Sequence, residues 1–222
     1  MGRVGITLTV LLAISSCSKS RETHPTGGTA PAPSLPVETT FWQWFVAHKD
    51  QVATIKRADE PIANQLAEEL HRINTNLTFE MSVGEGNHEF IISADGIQSA
   101  FPAVKHLVAA APTIPGWTVI AFRQRKSGLS IELGDGTKVG HETLMFQVLG
   151  SNGRKIDIAI YVKGAASVSD SAKKAVYLLL DATLGEYDVE TRLGAIEIEP
   201  ATKAPKTARP FAELAKVVDA NK

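Results

Sequence analysis

The stretch Thr143–Val162, TLMFQVLGSNGRKIDIAIYV, decides the fold. Two apolar runs, TLMFQVLG and KIDIAIYV, flank SNGR. Asn-Gly readily takes the positive φ angles of a tight hairpin turn, so the pattern predicts two antiparallel strands. Upstream, Leu77, Phe79, Met81 and Val83 alternate with Thr78, Glu80 and Ser82, the period of a half-buried strand. GEGN then turns the chain into HEFIIS as its hairpin partner. WTVIAF, residues 117–122, is apolar on both faces, which suits a central strand. Two shorter strands are expected around Leu129 and Val139, and LGAIEIEP, residues 193–200, reads as the last.

Helices fill the intervals. Thr40 and Gln43 form a T-x-x-Q capping box, followed by Phe41, Trp44, Phe45, His48, Val52 and Ile55 at helical spacing. That periodicity marks the aromatic cluster as core and not as a membrane-interface anchor. A second helix opens at Glu60-Pro61 and buries Ile62, Leu66, Leu70 and Ile73. A third runs over Ser99–Ala111, with Pro102 in its first turn, and a fourth over Ser169–Leu184, closed by Gly185. This order predicts an α+β fold: a single domain over residues 41–200, with a largely antiparallel sheet and helices on one face. Residues 201–222 read as a proline- and lysine-rich linker and a short amphipathic helix. Its apolar face, Phe211, Leu214, Val217 and Val218, is expected to dock on a partner or on the domain itself.

The N-terminus reads MGRVGITLTVLLAISSC. Arg3, the apolar run Val4–Ile14 and small residues before Cys17 follow the order of a secretory leader. The run is too short to span a bilayer, which takes about 20 apolar residues. It resembles a bacterial lipoprotein signal, with Ile14-Ser15-Ser16 leading to the cysteine that is lipidated. The resemblance implies removal of residues 1–16 and a diacylglyceryl group on Cys17, a firm anchor once two or more acyl chains are present. Ser18 after the cysteine resembles the outer-membrane signal of Gram-negative lipoproteins, so the expected location is the cell envelope, facing the periplasm. Residues 17–40 carry Pro25, Pro31, Pro33 and Pro36 among Gly, Ser and Thr, the composition of an extended tether.

Two further blocks, EFIISADGIQSAFPAVKHLVAAAPTIPGWTVIAFRQR (residues 89–125) and VYLLLDATLGEYDVETRLGAIEIEP (residues 176–200), resemble a bacterial domain-of-unknown-function family. Its marks here are an ISADG turn, an FPxVxxLVxAAP helix, a WxxIAFRxR strand and an LLLDxxLGEYDVE segment. The resemblance implies one coherent domain and carries no activity.

Composition narrows the chemistry. The formal net charge is −1, with Lys+Arg 23 against Asp+Glu 24, which gives no general attraction to nucleic acid. The single cysteine excludes an internal disulfide or a cysteine-rich zinc site. The histidines, His24, His48, His71, His88, His106 and His141, form no H-E-x-x-H pair. GDGTKVG joins strands and reads as a hairpin loop, and no nucleotide or cofactor motif occurs. Charged side chains gather at two places. FRQRK puts Arg123, Arg125 and Lys126 at a strand end, and DATLGEYDVE carries Asp181, Glu186, Asp188 and Glu190. Asp95-Gly96 ends another strand, just ahead of a helix N-terminus that favours an anion. The candidate ligand or partner site is therefore Asp95, Arg123, Arg125, Glu186 and Asp188, with Arg123 paired to a carboxylate such as Glu186. The first functional expectation is a lipid-anchored binding module for an envelope protein or small ligand. The alternatives are an envelope enzyme built on the carboxylate–arginine cluster and a metal-binding envelope protein.

Overall fold

The computed structural model describes residues 35–221 apart from 84–86, 127, 133–135, 137 and 165. The leader, Cys17, His24, most of the tether and the tips of the GEGN and GDGTKVG turns lie outside the described residues. The α+β class holds: strands pair mostly antiparallel, with helices packed against them. The described strands form a three-stranded, a two-stranded and a four-stranded sheet. The described residues fall into two compact units, one made of those up to Ala94 with Ser99–Ala121, the other of Asp95–Gln98 with those from Phe122 onward.

The first unit contains helices α1 (Val37–Val52) and α2 (Pro61–Ile73), then β1 (Thr78–Val83), β2 (His88–Ser93), α3 (Phe101–Ala109) and β3 (Trp117–Ala121). Helix α1 starts earlier than the capping box predicts. Its N-cap is Pro36, Glu38 sits in its first turn, and the Thr40 hydroxyl donates back to the Pro36 carbonyl at 3.4 Å. Proline at a helix entrance presets φ, and an acidic residue there favours the helix dipole, so together they outcompete Thr40. The buried stripe also turns: Trp42, not Trp44, lies inside with Phe41 and Phe45, and Trp42 Nε1 donates to the Leu107 carbonyl at 2.8 Å. Phe45 packs on Phe90 with ring centroids 4.7 Å apart and edge-on to Trp117 at 5.1 Å. Fully burying each such ring is worth about 1.5–3 kcal/mol.

The sheet order is β1-β2-β3, with β1 antiparallel and β3 parallel to β2. The central strand is therefore HEFIIS, and WTVIAF is an edge. An apolar run without alternation suits any strand reached through a helical crossover, central or not, and here α3 makes that crossover.

The second unit contains β4 (Ser130–Glu132), β5 (Lys138–Gly140), β6 (Leu144–Ser151), β7 (Ile156–Val162), α4 (Asp170–Leu184), α5 (Glu186–Arg192), β8 (Leu193–Pro200), β9 (Arg209–Pro210) and α6 (Leu214–Ala220). The β6–β7 hairpin forms as predicted, from Leu144 opposite Val162 to Ser151 opposite Ile156, with Gly153 at φ 84° in the turn. The sheet order is β8-β7-β6-β9, with β8 parallel to β7. Each unit thus holds the same connection: an antiparallel hairpin, a helical crossover and a strand parallel to the hairpin's second arm.

The C-terminal segment is part of this unit. Arg209 pairs with Phe146, and Phe211, Leu214 and Val218 are buried among Phe146, Ile158, Val176 and Leu180. Of the two docking expectations, the one onto the protein itself is realised. The boundary read at residue 200 cuts through this core.

An arginine–carboxylate cluster as candidate functional site

Helix α4 is set up by Ser169, whose hydroxyl accepts the Ala172 N–H at 3.1 Å, and it stops at Gly185. Gly185 sits at φ 81°, where a side chain is strained, and a Cβ there would lie 3.3 Å from the Arg123 carbonyl. The chain bends there and starts α5, which none of the helices expected from the sequence includes. Seven residues, mostly polar, carry too little periodicity to announce a helix.

The bend aims Glu186 inward. This glutamate is 0% exposed and brackets one residue of the strand-end loop, Arg123. Its N–H donates to the Arg123 carbonyl at 3.0 Å, while its Oε2 accepts the Arg123 N–H at 3.2 Å. Its Oε1 accepts the Gly96 N–H at 3.3 Å. Both loops contain a non-glycine residue at positive φ, Asp95 at 50° and Phe122 at 63°. Such residues cost about 1–3 kcal/mol each and persist where neighbours over-determine them. Glu186 supplies part of that constraint. The anion expected at the Asp95-Gly96 strand end is thus a side chain of the protein itself.

The five residues singled out in the sequence do come together. Arg123 meets Glu186 through its backbone N–H and carbonyl. The Arg123 guanidinium lies 3.0 Å from Asp95 Oδ1 and 3.7 Å from Asp181 Oδ2. Arg125 donates to Asp188 at 2.6 Å, to both Asp219 oxygens at 2.9 Å, and through Nε to the Leu184 carbonyl at 2.8 Å. Arg192 closes a ring of alternating charge, 3.9 Å from Asp188 and 3.5 Å from Asp219. It also donates to the Val218 carbonyl near the end of α6, where a cation is favoured. Asp219 and Arg192 escaped the sequence reading, since nothing in their spacing points to Arg125. The Arg125–Asp188 pair therefore clasps α6 to the unit, first through the bonds to Asp219. Those bonds and Asp188 hold the Arg125 charge above its usual pKa.

Arg123, Arg125, Asp188 and Tyr187 border a cavity of about 310 Å³. The Tyr187 ring packs on Phe122 at 5.3 Å. Behind Arg123, one of the lining residues, lies Asp181. Burial pushes its carboxyl up to about 7; Arg123 opposes the shift, and Glu186, Glu190 and Asp95 add to it. Burial also raises Glu190, against the pull of Lys155 and with Glu186 adding to the push. Among the described residues no group of three or more His, Cys, Asp or Glu side chains is placed to hold a metal ion.

The Asp181 shift fixes a pH dependence. Its folded pKa of about 7 lies above the ordinary 3.8, so the native state holds the proton more tightly than the unfolded chain. The linked stability is complete below about pH 3.8 and is lost as pH rises through about 7. Urea unfolding at a series of pH values should show Asp181→Asn gaining on the parent chain between about pH 4 and 7, by roughly 1–3 kcal/mol in all, with no further gain above about pH 8. A difference that does not vary with pH would contradict the assignment.

Comparison of the chain with protein-family models, curated proteins and solved structures gives no match.

Proposed function

We propose that the protein is a lipid-anchored envelope enzyme whose acid–base group is Asp181, assisted by Arg123, acting on a small polar substrate in the cavity at the α4–α5 break. The observation that carries this reading is Asp181 itself. Its carboxyl is half-buried, with its pKa pushed up to about 7, and it lies 3.7 Å from the guanidinium of Arg123, which borders the cavity. A catalytic acid or base works best with its pKa near the working pH, and such shifts cost stability, so they gather at functional sites. Arg123 would balance charge as Asp181 gains and loses its proton. One face considered for a partner of a binding module, that of α6, is taken up by the protein's own core. The Leu12–Cys17 pattern supports the anchor. No metal enters this reading.

The test screens the purified protein against ester, amide, glycoside and phosphoester substrates of envelope type, beside Asp181→Asn. Turnover is expected to fall about 10²–10⁴-fold in the variant and, in the parent, to follow a group titrating near pH 7. Activity retained in Asp181→Asn, or none in the parent on any class, would overturn the enzyme reading. The anchor is checked separately: fatty-acid labelling in cells should be lost in Cys17→Ala.

A further inference from the structure

The lining of the cavity at the α4–α5 break limits what can enter it. Arg123, Gln124, Arg125, Tyr187 and Asp188 stand around the Leu184-Gly185 corner. The charges among them are already paired. Arg123 faces Asp95 at 3.0 Å and Asp181 at 3.7 Å, and Arg125 is held between Asp188 at 2.6 Å and Asp219 at 2.9 Å. An anionic ligand would have to displace a carboxylate from one of these arginines, and a cationic ligand would have to draw a carboxylate away. Either exchange leaves a half-buried charge without its partner, which is unfavourable. A neutral ligand needs no exchange. Hydroxyl groups suit such a site, because each donates and accepts at once. Groups remain to meet them. Every contact of Asp188 with the described residues uses Oδ2, which leaves Oδ1 as an acceptor. Of the two Nη1 hydrogens of Arg125, one goes to Asp219 and the other has no partner among the described residues. Tyr187 adds an apolar surface: it is 39% exposed, although its ring packs on the buried Phe122 at 5.3 Å. Because Phe122 supports the ring, little side-chain freedom is lost when a ligand covers it.

We propose that this cavity binds a neutral sugar, with the Tyr187 ring against one face of the pyranose and Asp188 and Arg125 on its hydroxyls. The proposal rests on the enzyme reading of the same cavity and names the chemical class of its substrate, a neutral saccharide. A pyranose carries weakly positive C–H groups on its faces, and the negative face of an aromatic ring attracts them. Its hydroxyls lie around the rim, where one acceptor and one donor can hold it in one orientation. They add hydrogen bonds to the Arg125–Asp188 pair without breaking it, since a carboxylate and a guanidinium each have capacity beyond a single bond. The cavity, about 310 Å³, lies at the lower end of the range for small-molecule sites, about 300–1,000 Å³, which suits a short saccharide. Gly185 keeps the corner open, because it has no side chain to fill it.

The experiment titrates the purified protein at millimolar ligand concentration and follows amide NMR signals. The probes are maltose, cellobiose and diacetylchitobiose, and, as controls, inorganic phosphate, putrescine and N-acetylglycinamide. The expected result is that at least one saccharide moves the Gly185 and Tyr187 amide signals and the Arg125 Nε–H signal, with the β6–β7 signals unmoved, and that the controls move none of them. Tyr187→Ala should weaken that saccharide about 3–10-fold, the scale of one aromatic contact, while Tyr187→Phe, which keeps the ring, should stay within about twofold. No shift with any saccharide would overturn the proposal, as would equal shifts with a control or an affinity unchanged in Tyr187→Ala. A saccharide bound at these residues by a protein that turns over no substrate would uphold the ligand class and overturn the enzyme reading. Turnover of a substrate that contains no sugar, with no saccharide bound, would overturn the ligand class and leave the enzyme reading standing.

Discussion

Phe211→Ala is expected to destabilise the second unit by about 3–5 kcal/mol, the range for emptying a buried aromatic site. Phe211 is 0% exposed and sits in one cluster with Phe146, Ile158, Leu179 and Val218. His141 lies edge-on to its ring at 5.4 Å. The substitution also loosens the short β9 pairing, because Phe211 follows directly on Arg209-Pro210, which pairs with Met145 and Phe146. Urea unfolding read by far-UV circular dichroism should show the midpoint fall with little change in slope. Removing residues 201–222 should cost more, because it deletes Leu214 and Val218 from the same core. A midpoint unchanged in Phe211→Ala would mean that the C-terminal segment is not part of the cooperative unit.

Glu186→Ala is expected to cost about 2–4 kcal/mol, the second large effect. The substitution leaves the Gly96 and Arg123 N–H groups without their carboxylate. Each unsatisfied buried donor costs about 1–3 kcal/mol. A smaller opposing gain comes from removing a negative charge near Asp181 and Glu190, both of which Glu186 pushes upward. Glu186→Gln separates the two effects. It keeps one oxygen acceptor, so its stability loss should be about half or less, while the Asp181 pKa should fall as much as in the alanine variant. Carboxyl chemical shifts followed through pH 5–9 check the second part. An Asp181 titration that does not move in either variant would remove Glu186 from the electrostatics of the cluster.

Much of the frame is legible in the sequence, for local reasons. Asn152-Gly153 marks the β6–β7 turn, alternation marks β1, and Ser169 and Gly185 bound α4. The strand-end arginines and the DATLGEYDVE carboxylates also point to one cluster. What the sequence hides is non-local. Glu186 reaches backbone donors 63 and 90 residues away, and no side-chain pattern marks a backbone N–H. Asp219 finds Arg125 across 94 residues. The C-terminal core residues look detached because Pro205, Lys203 and Lys206 ahead of them have linker composition, although the segment that follows supplies an edge strand and three buried side chains. At the start of α1, two valid helix signals compete a few residues apart, and Pro36 prevails over Thr40.

The Glu186 bracket also bears on the order in which the chain becomes structured. A polypeptide appears N-terminus first, both from the ribosome and through a secretion channel, and contacts distant in sequence close late. The β2 and β3 strands can pair once residue 121 is out. The Asp95-Gly96 turn and the Phe122-Arg123 bend, each with a residue at positive φ, must wait for residue 186 before Glu186 can hold them. Until then the Gly96 and Arg123 N–H groups lack the carboxylate that accepts them in the folded protein. A chain stopped before residue 186 therefore lacks the group that ties these two loops together, and an added protease is expected to cut it there more readily than the full chain.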